Sequence, residues 1–151
     1  DFMASLGMGG LNVGAQPAGY PADAFHYVLM RILVAARAHG LQAIDGPFVA
    51  IRDADGFRQA AARSAALGYD GKWVLHPGQV ADGNAAYTPD QADFERAERI
   101  MAAYVQATSV GGGARGAIVV DDEMVDEAGV KLAAAILARG RAARLAEGKD
   151  A

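Results

Sequence analysis

Two short apolar runs set about thirty residues apart, with one amphipathic stretch between them, constrain this chain more than any other feature. Residues 41–44 are followed at once by Asp45-Gly46-Pro47, and residues 72–75 are stopped by His76-Pro77. Each run reads as a buried strand ending in a turn. Between them Asp53 or Asp55 can cap a helix that carries Phe57, Ala61, Ser64 and Leu67 along one side, and Gly68 ends it where a left-handed residue costs least. That period is a βαβ unit, hence a parallel sheet. Parallel strands need cover on both faces and neighbours on both sides. Two strands, or three if one ends just before Asp1, cannot supply them, so the pattern predicts more sheet than the sequence contains.

The flanking segments extend the alternation. Residues 7–22 hold five glycines together with Pro17 and Pro21 and read as a long loop. Asp23 can cap a helix to about Ala38, with Phe25, Val28, Leu29, Ile32 and Leu33 as its inner stripe and Gly40 as its stop. Thr88-Pro89-Asp90-Gln91 predicts a helix start with threonine as cap and proline at the first helical position. That helix should run to about Ala107 and bury Phe94, Ala97, Ile100, Met101, Tyr104 and Val105. Residues 117–120 suit a short strand, Asp121, Asp122 and Glu123 a solvated turn, and Asp126 can cap a last alanine-rich helix to about Leu145. The apolar face of that helix, residues 132–143, should pack against something. The order is α/β. A full (β/α)8 barrel takes roughly 250 residues, so 151 residues fit the C-terminal portion of a TIM barrel plus a lid: residues 1–108 barrel, 109–116 a glycine-rich connector, 117–151 the lid with its helix.

Several function classes drop out. A net charge of -4 with 21% charged residues argues against a polycationic nucleic-acid binder and against a disordered acidic tail. The absence of cysteine removes disulfides, thiolate nucleophiles and zinc-thiolate sites, and agrees with a cytoplasmic setting. The apolar runs 32–36 and 132–138 fall well short of the ~20 residues of a membrane span. Gly111-Gly112-Gly113-Ala114-Arg115-Gly116 fits GxGxxG by letter but follows a helix, so it reads as a linker. Gly71-Lys72 is not a phosphate loop, because Trp73 stands where serine or threonine must hold magnesium.

Three histidines, at 26, 39 and 76, have no metal-ligand spacing, which leaves oxygen ligands and a hard cation as the available metal chemistry. His76 and Asp45 both stand at strand C-termini, where barrel and doubly wound folds place ligands. Asp45 can equally be a turn carboxylate bonded to its own backbone, and Asp126 can be simply a helix cap.

The string Ala43-Ile44-Asp45-Gly46-Pro47-Phe48, then Leu67-Gly68-Tyr69-Asp70-Gly71-Lys72-Trp73-Val74-Leu75-His76-Pro77-Gly78-Gln79, then Tyr87-Thr88-Pro89 and Met124-Val125-Asp126, resembles the C-terminal half of the malyl-CoA lyase and citrate lyase beta-subunit-like family (HpcH/HpaI aldolases). The resemblance covers nearly the whole chain. It implies a TIM-barrel enzyme with a C-terminal lid, performing magnesium-dependent (manganese being possible) Claisen cleavage of a 3-hydroxyacyl-CoA into an acyl-CoA and a 2-oxo acid such as glyoxylate. By the same resemblance Asp1, opening Asp1-Phe2-Met3-Ala4-Ser5-Leu6-Gly7, is a magnesium ligand at a strand end, the second ligand being a glutamate upstream. Leu75 and His76 then match the family's strand-end dipeptide that contacts the CoA substrate, and Pro77 beside them and Asp45, at the end of the preceding strand, are expected as further substrate contacts. Asp126 is the lid carboxylate that a neighbouring subunit of a homo-oligomer inserts into the active site. The chain lacks the family's first half, with its glutamate and CoA-binding arginines, and would be active only together with it. Gly46-Pro47-Phe48 and Lys72-Trp73 favour the malyl-CoA lyase branch. A citrate lyase beta-subunit-like protein, or a non-catalytic half-barrel that binds a partner chain, is the alternative.

Overall fold

The structure, a computed structural model, describes residues 2–8, 13–17, 19–109 and 117–147, the last four of these by their backbone alone. Asp1 and the glycine-rich segment 110–116 lie outside the described residues. The chain divides into two compact units, residues 1–87 and 88–151. The division falls well upstream of the connector at which the sequence suggests a boundary.

In the first unit a short helix α1 (Phe2–Ser5) precedes described residues that form turns only, as expected of the 7–22 loop. Helix α2 (His26–Ala38) begins later than predicted. Asp23 folds back onto its own backbone, its Oδ1 accepting from the Phe25 N–H at 2.9 Å, so it sets the approach to the helix and does not cap it. Strand β1 (Ile44–Asp45) and strand β2 (Gly71–Lys72) pair in parallel, Ile44 opposite Gly71 and Asp45 opposite Lys72. Between them α3 (Ala54–Leu67) starts under an Asp53 cap, whose Oδ1 accepts from Gly56 N at 2.9 Å, and ends at Gly68 with φ 103°. Both helix signals match the sequence expectation.

The strands themselves depart from it. Each is two residues long, and Ile44 is 56% exposed. A two-stranded parallel sheet has two open edges, so its side chains cannot all be enclosed. The apolar core flanks the strands. Phe48, Phe57, Ala60 and Ala61 form one cluster, with Phe48 and Phe57 edge-to-face at 6.3 Å. Leu33, Ala43 and Tyr69 form another. Of the predicted α2 stripe, Phe25 and Leu33 are buried while Ile32 is 51% exposed. After β2 the chain makes a 3-10 turn (Pro77–Gln79) and continues as α4 (Val80–Tyr87).

In the second unit α5 (Gln91–Ser109) starts two residues later than the Thr88-Pro89 signal suggests. Asp90 takes the capping role: its Oδ1 accepts from Asp93 N at 2.7 Å and its carbonyl from Phe94 N at 3.0 Å. Strand β3 (Ala117–Val120) pairs antiparallel with β4 (Glu123–Asp126), a strand the sequence reading missed because its four residues follow the Asp121-Asp122 turn directly. Both turn residues have positive φ, 50° and 62°, the backbone that closes a two-residue hairpin. Helix α6 (Glu127–Glu147) then packs Val130, Ala133 and Leu137 onto Phe94, Ala97 and Ile100 of α5 and Val125 of the hairpin. Thus the alanine-rich helix finds its cover inside its own unit, although Leu132 remains 67% exposed. Val105, predicted to be buried, is 59% exposed. Gly140 is required by closeness: a Cβ there would overlap the Phe94 ring.

Candidate functional site

In a parallel pair, residues in register project to the same side of the sheet. Asp45 and Lys72 are in register, and their side chains meet: Lys72 Nζ donates to Asp45 Oδ2 at 2.6 Å and to the Gly46 carbonyl at 2.8 Å. The two side chains are 8% and 2% exposed. The second carboxylate oxygen of Asp45 accepts from Gly46 N at 2.8 Å. The turn-carboxylate reading of Asp45 is therefore correct as far as it goes, but its larger partner is a lysine 27 residues away. An unpaired charge at that depth would cost several kcal/mol, whereas the bonded pair is tolerated.

This pair sits in the wall of a cavity of about 220 Å3. The remainder of the wall is largely apolar, including Phe25, Val28, Leu29 and Ile32 of the α2 segment and Pro47 after β1. Arg63 of α3 also lines it. Its guanidinium lies 5.4 Å from the Phe25 ring centre and reaches Asp23 at 3.4 Å, while its buried Nε has no hydrogen-bond partner among the described residues. Burial alone would raise the Asp23 carboxyl, but hydrogen bonds from Gln16 and Phe25 N, with the Arg63 charge, together hold it below the ordinary carboxylate value.

Leu75, His76 and Pro77 lie past β2, away from that wall. Leu75 is 44% exposed and His76 is exposed. The segment is nevertheless held. Gln79, 3% exposed, accepts from Leu75 N through Oε1 at 2.9 Å and donates through Nε2 to the Phe48 carbonyl at 3.1 Å. One amide thereby ties the loop after β2 to the loop after β1. His76 precedes the 3-10 turn, and its Nδ1 accepts from Gly78 N at 3.0 Å. A third tie is Arg37 of α2, which donates twice to Asp70, at 2.7 and 2.9 Å, and to the carbonyls of Gly68 and Leu41. Asp70 Oδ2 also accepts from Ala43 N at 2.8 Å, so the entries to both strands are pinned to α2.

Asp126 belongs to the second unit and is exposed. Its Oδ1 accepts from Gly129 N at 2.9 Å, capping α6 as the sequence suggests. Asp1 lies outside the described residues. Among the described residues no group of three or more histidines and carboxylates comes close enough to hold a metal ion.

Lys72, Arg63 and Gln79 are the members that sequence reasoning missed. Lys72 carried a signal, a basic residue one βαβ period beyond an acidic one at the same strand position, but reading it requires the register. Gln79 closes the motif string by which the family resemblance is read, but without a role assigned to it, and Arg63 carried no signal, because it stands in a helix and acts across the fold.

Comparison with known proteins gives this geometry a family. The profile of the HpcH/HpaI aldolase/citrate lyase family matches residues 1–77. The L-malyl-CoA/beta-methylmalyl-CoA lyase of Rhodobacter capsulatus is 36% identical over 154 residues, covering 96% of this chain and 48% of the relative. The enzyme of the same description from Cereibacter sphaeroides is 38% identical over 146 residues, 91% of this chain and 45% of the relative. A (3S)-malyl-CoA thioesterase of Cereibacter sphaeroides is 38% identical over 110 residues, 73% of this chain and 38% of that protein. The chain thus spans about half the length of the curated relatives it matches. Among solved structures, CitE from Mycobacterium tuberculosis in complex with magnesium, acetoacetate and coenzyme A superposes with a TM-score of 0.69 at 30% identity, over 91% of this chain and 48% of that one. A citrate lyase from Burkholderia xenovorans, at 22% identity and TM-score 0.64 over 85% of this chain and 39% of its own, shares the fold. By the family match across residues 1–77 and the relatives that align along nearly its whole length, the chain belongs to the HpcH/HpaI aldolase/citrate lyase family.

Proposed function

We propose that this chain is the C-terminal portion of a (β/α)8 lyase with its lid, residues 1–108 completing the barrel and 117–151 forming the lid beyond the 109–116 connector. The reaction is reversible carbon–carbon cleavage of a 3-hydroxyacyl-CoA of the malyl-CoA, methylmalyl-CoA or citramalyl-CoA type. The observation that carries this reading is the alignment of malyl-CoA lyases with 91–96% of the chain.

In the cleavage direction the substrate hydroxyl loses its proton, the C2–C3 bond breaks, a 2-oxo acid such as glyoxylate leaves, and the electron pair stays on the acyl-CoA α-carbon as a thioester enolate. A positioned acid must then protonate that carbon. Asp126 is the residue proposed for it, delivered by a neighbouring subunit of a homo-oligomer so that closure also excludes water. Leu75, His76 and Pro77 contact the CoA moiety, and the Gln79 amide holds their loop in place. Asp45 acts through Lys72, whose ammonium it fixes in the cavity wall.

A magnesium ion, when bound, would hold the oxygens of the 2-oxo acid and neutralise developing charge. The described residues do not make a cage for it: Asp45 is bonded to Lys72, and no carboxylate cluster is present among them. Asp1 is proposed to supply one ligand, and the remaining ligands would come from the part of the relatives' length that this chain does not span. No helix among the described residues is long and apolar enough to cross a membrane, and the proposed partners are small molecules in the cytoplasm, with no nucleic acid.

The test offers the three acyl-CoAs, with magnesium or manganese, to this chain alone and to a full-length polypeptide carrying it. Free 2-oxo acid and acyl-CoA from the longer polypeptide only is the expected result. Release of CoA thiol with an intact hydroxy acid would make it a thioesterase, like one of its relatives. No product from either would favour a half-barrel that only binds a partner chain. Asp126→Ala in the active polypeptide should cut turnover roughly a hundred- to ten-thousand-fold while leaving sedimentation unchanged; undiminished turnover removes Asp126 from the mechanism.

A further inference from the structure

The geometry points to His76 as a hydrogen-bond donor, not a base: we propose that the Gly78 N–H fixes the neutral imidazole with its proton on Nε2, so that the ring presents an Nε2–H to an oxygen acceptor of the acyl-CoA. The ligand half of this inference rests on the function proposed above; the tautomer half does not.

A neutral imidazole has one donor and one acceptor nitrogen, and whichever nitrogen accepts must be unprotonated. Gly78 N lies 3.0 Å from His76 Nδ1, and a backbone N–H can only donate. Nδ1 is therefore the acceptor, and the proton resides on Nε2. Protonating the ring at Nδ1 would set one N–H against another and forfeit the bond. The contact is held from both sides. Pro77 restricts the backbone between the two residues, the Gln79 N–H donates to the His76 carbonyl at 2.9 Å, and the Gln79 amide anchors Leu75 N at 2.9 Å. The absence of a side chain at residue 78 matters too, since a Cβ there would stand 3.1 Å from Nδ1, tighter than ordinary contact. His76 is exposed, so Nε2 is the atom it offers to a ligand. Gly78 is then a positioning residue and His76 a binding residue.

The experiment uses the 151-residue chain with 15N-labelled histidine, at about pH 8, above the ordinary histidine range. Two-bond 1H–15N correlation spectra distinguish protonated from bare ring nitrogens, and His76→Asn identifies which of the three signals belongs to residue 76. A His76 ring with bare Nδ1 and protonated Nε2 is expected. The opposite tautomer, or a mixture, overturns the proposal. Gly78→Pro deletes the N–H at a position already in a helical turn and should convert the single tautomer into a mixture. Gly78→Ala keeps the N–H and adds only a Cβ 3.1 Å from Nδ1, a crowding the exposed ring relieves by a shift of a few tenths of an ångström, so it should keep the tautomer; should the proline variant fail to fold, the unmutated spectrum still decides the matter.

Calorimetry with acetyl-CoA and with CoA on a full-length polypeptide carrying this chain tests the ligand half. His76→Asn retains an oxygen to accept from Gly78 N but lacks a donor at the Nε2 position. It should therefore keep wild-type stability and weaken acetyl-CoA roughly five- to tenfold. Loss with acetyl-CoA alone identifies the thioester carbonyl as acceptor, and equal loss with CoA identifies an oxygen of the CoA body. Unchanged affinity in His76→Asn overturns the contact while leaving the lyase reading intact. Absence of binding to the unmutated full-length polypeptide counts against the lyase reading and leaves the tautomer result standing.

Discussion

The two units of this chain are stabilised in different ways. Among the described residues of 88–151, one continuous apolar cluster holds the unit, with Phe94, Ala97, Ile100, Val125, Val130, Ala133 and Leu137 all buried together. Their ion pairs, Arg96–Glu123, Arg99–Asp121 and Lys131–Glu127, are half or more exposed on most of their side chains and sit outside that cluster. Residues 1–87 split their apolar core into two smaller clusters and join the pieces with long-range polar ties: Asp45–Lys72, Arg37–Asp70 and the Gln79 amide. Apolar packing is non-directional and tolerates small shifts, whereas a buried hydrogen bond prescribes where two atoms must be. The first unit thus fixes its strand-end groups by directed hydrogen bonds, whereas the second is held mainly by apolar packing.

The sharpest test of that contrast is Lys72→Met, which leaves the Asp45 carboxylate buried without its cation. It should cost about 3–5 kcal/mol, read as lost amide protection in residues 26–87 by hydrogen exchange. Replacing both partners, with Asp45→Leu added, should recover most of that loss; no recovery would mean the pair is not what the site depends on. Next, Phe94→Ala opens the second core and should cost about 3–5 kcal/mol, with the protection lost in residues 91–147. If both variants lower protection equally throughout the chain, the contrast between the units fails.

A smaller effect is expected at high pH. Burial, opposed only in part by its hydrogen bond with Ser64, pushes the Tyr87 hydroxyl up to about 12. A group whose folded pKa is raised contributes stability that is complete below its unfolded value near 10 and lost as pH rises through the folded one. Denaturant titrations should therefore show stability falling between about pH 10 and 12, by ~2 kcal/mol or less, and Tyr87→Phe should remove that part of the slope. An unchanged slope would place the alkaline loss elsewhere. The smallest effect is Lys131→Ala, which breaks a fully exposed pair on α6 and should leave the denaturation midpoint essentially unchanged.

Much of this fold was legible in the sequence where the signal is local. The Asp53 cap, the Gly68 stop, the β3 strand and the Asp126 cap all follow from residues within one or two turns of one another. Where competing local signals overlap, the reading slipped by a few residues. Thr88-Pro89 resembles a helix start, yet Asp90, a better acceptor one turn before Phe94, takes the cap. Residues 41–44 and 72–75 read as buried strands because most of them are apolar, whereas the strands that form are Ile44–Asp45 and Gly71–Lys72 and burial depends on neighbours that no local pattern contains.

The sequence by itself determined the α/β alternation, the long helices and their order and, through a string of residues in fixed order, the family. Tertiary structure alone decided that Asp45 meets Lys72 and that Gln79 ties two loops. The first set is encoded in spacing along the chain, where 3.6-residue and two-residue periods are visible directly. The second set depends on strand register and on hydrogen bonds between residues as far as 31 positions apart, and these exist only once the strands have been aligned.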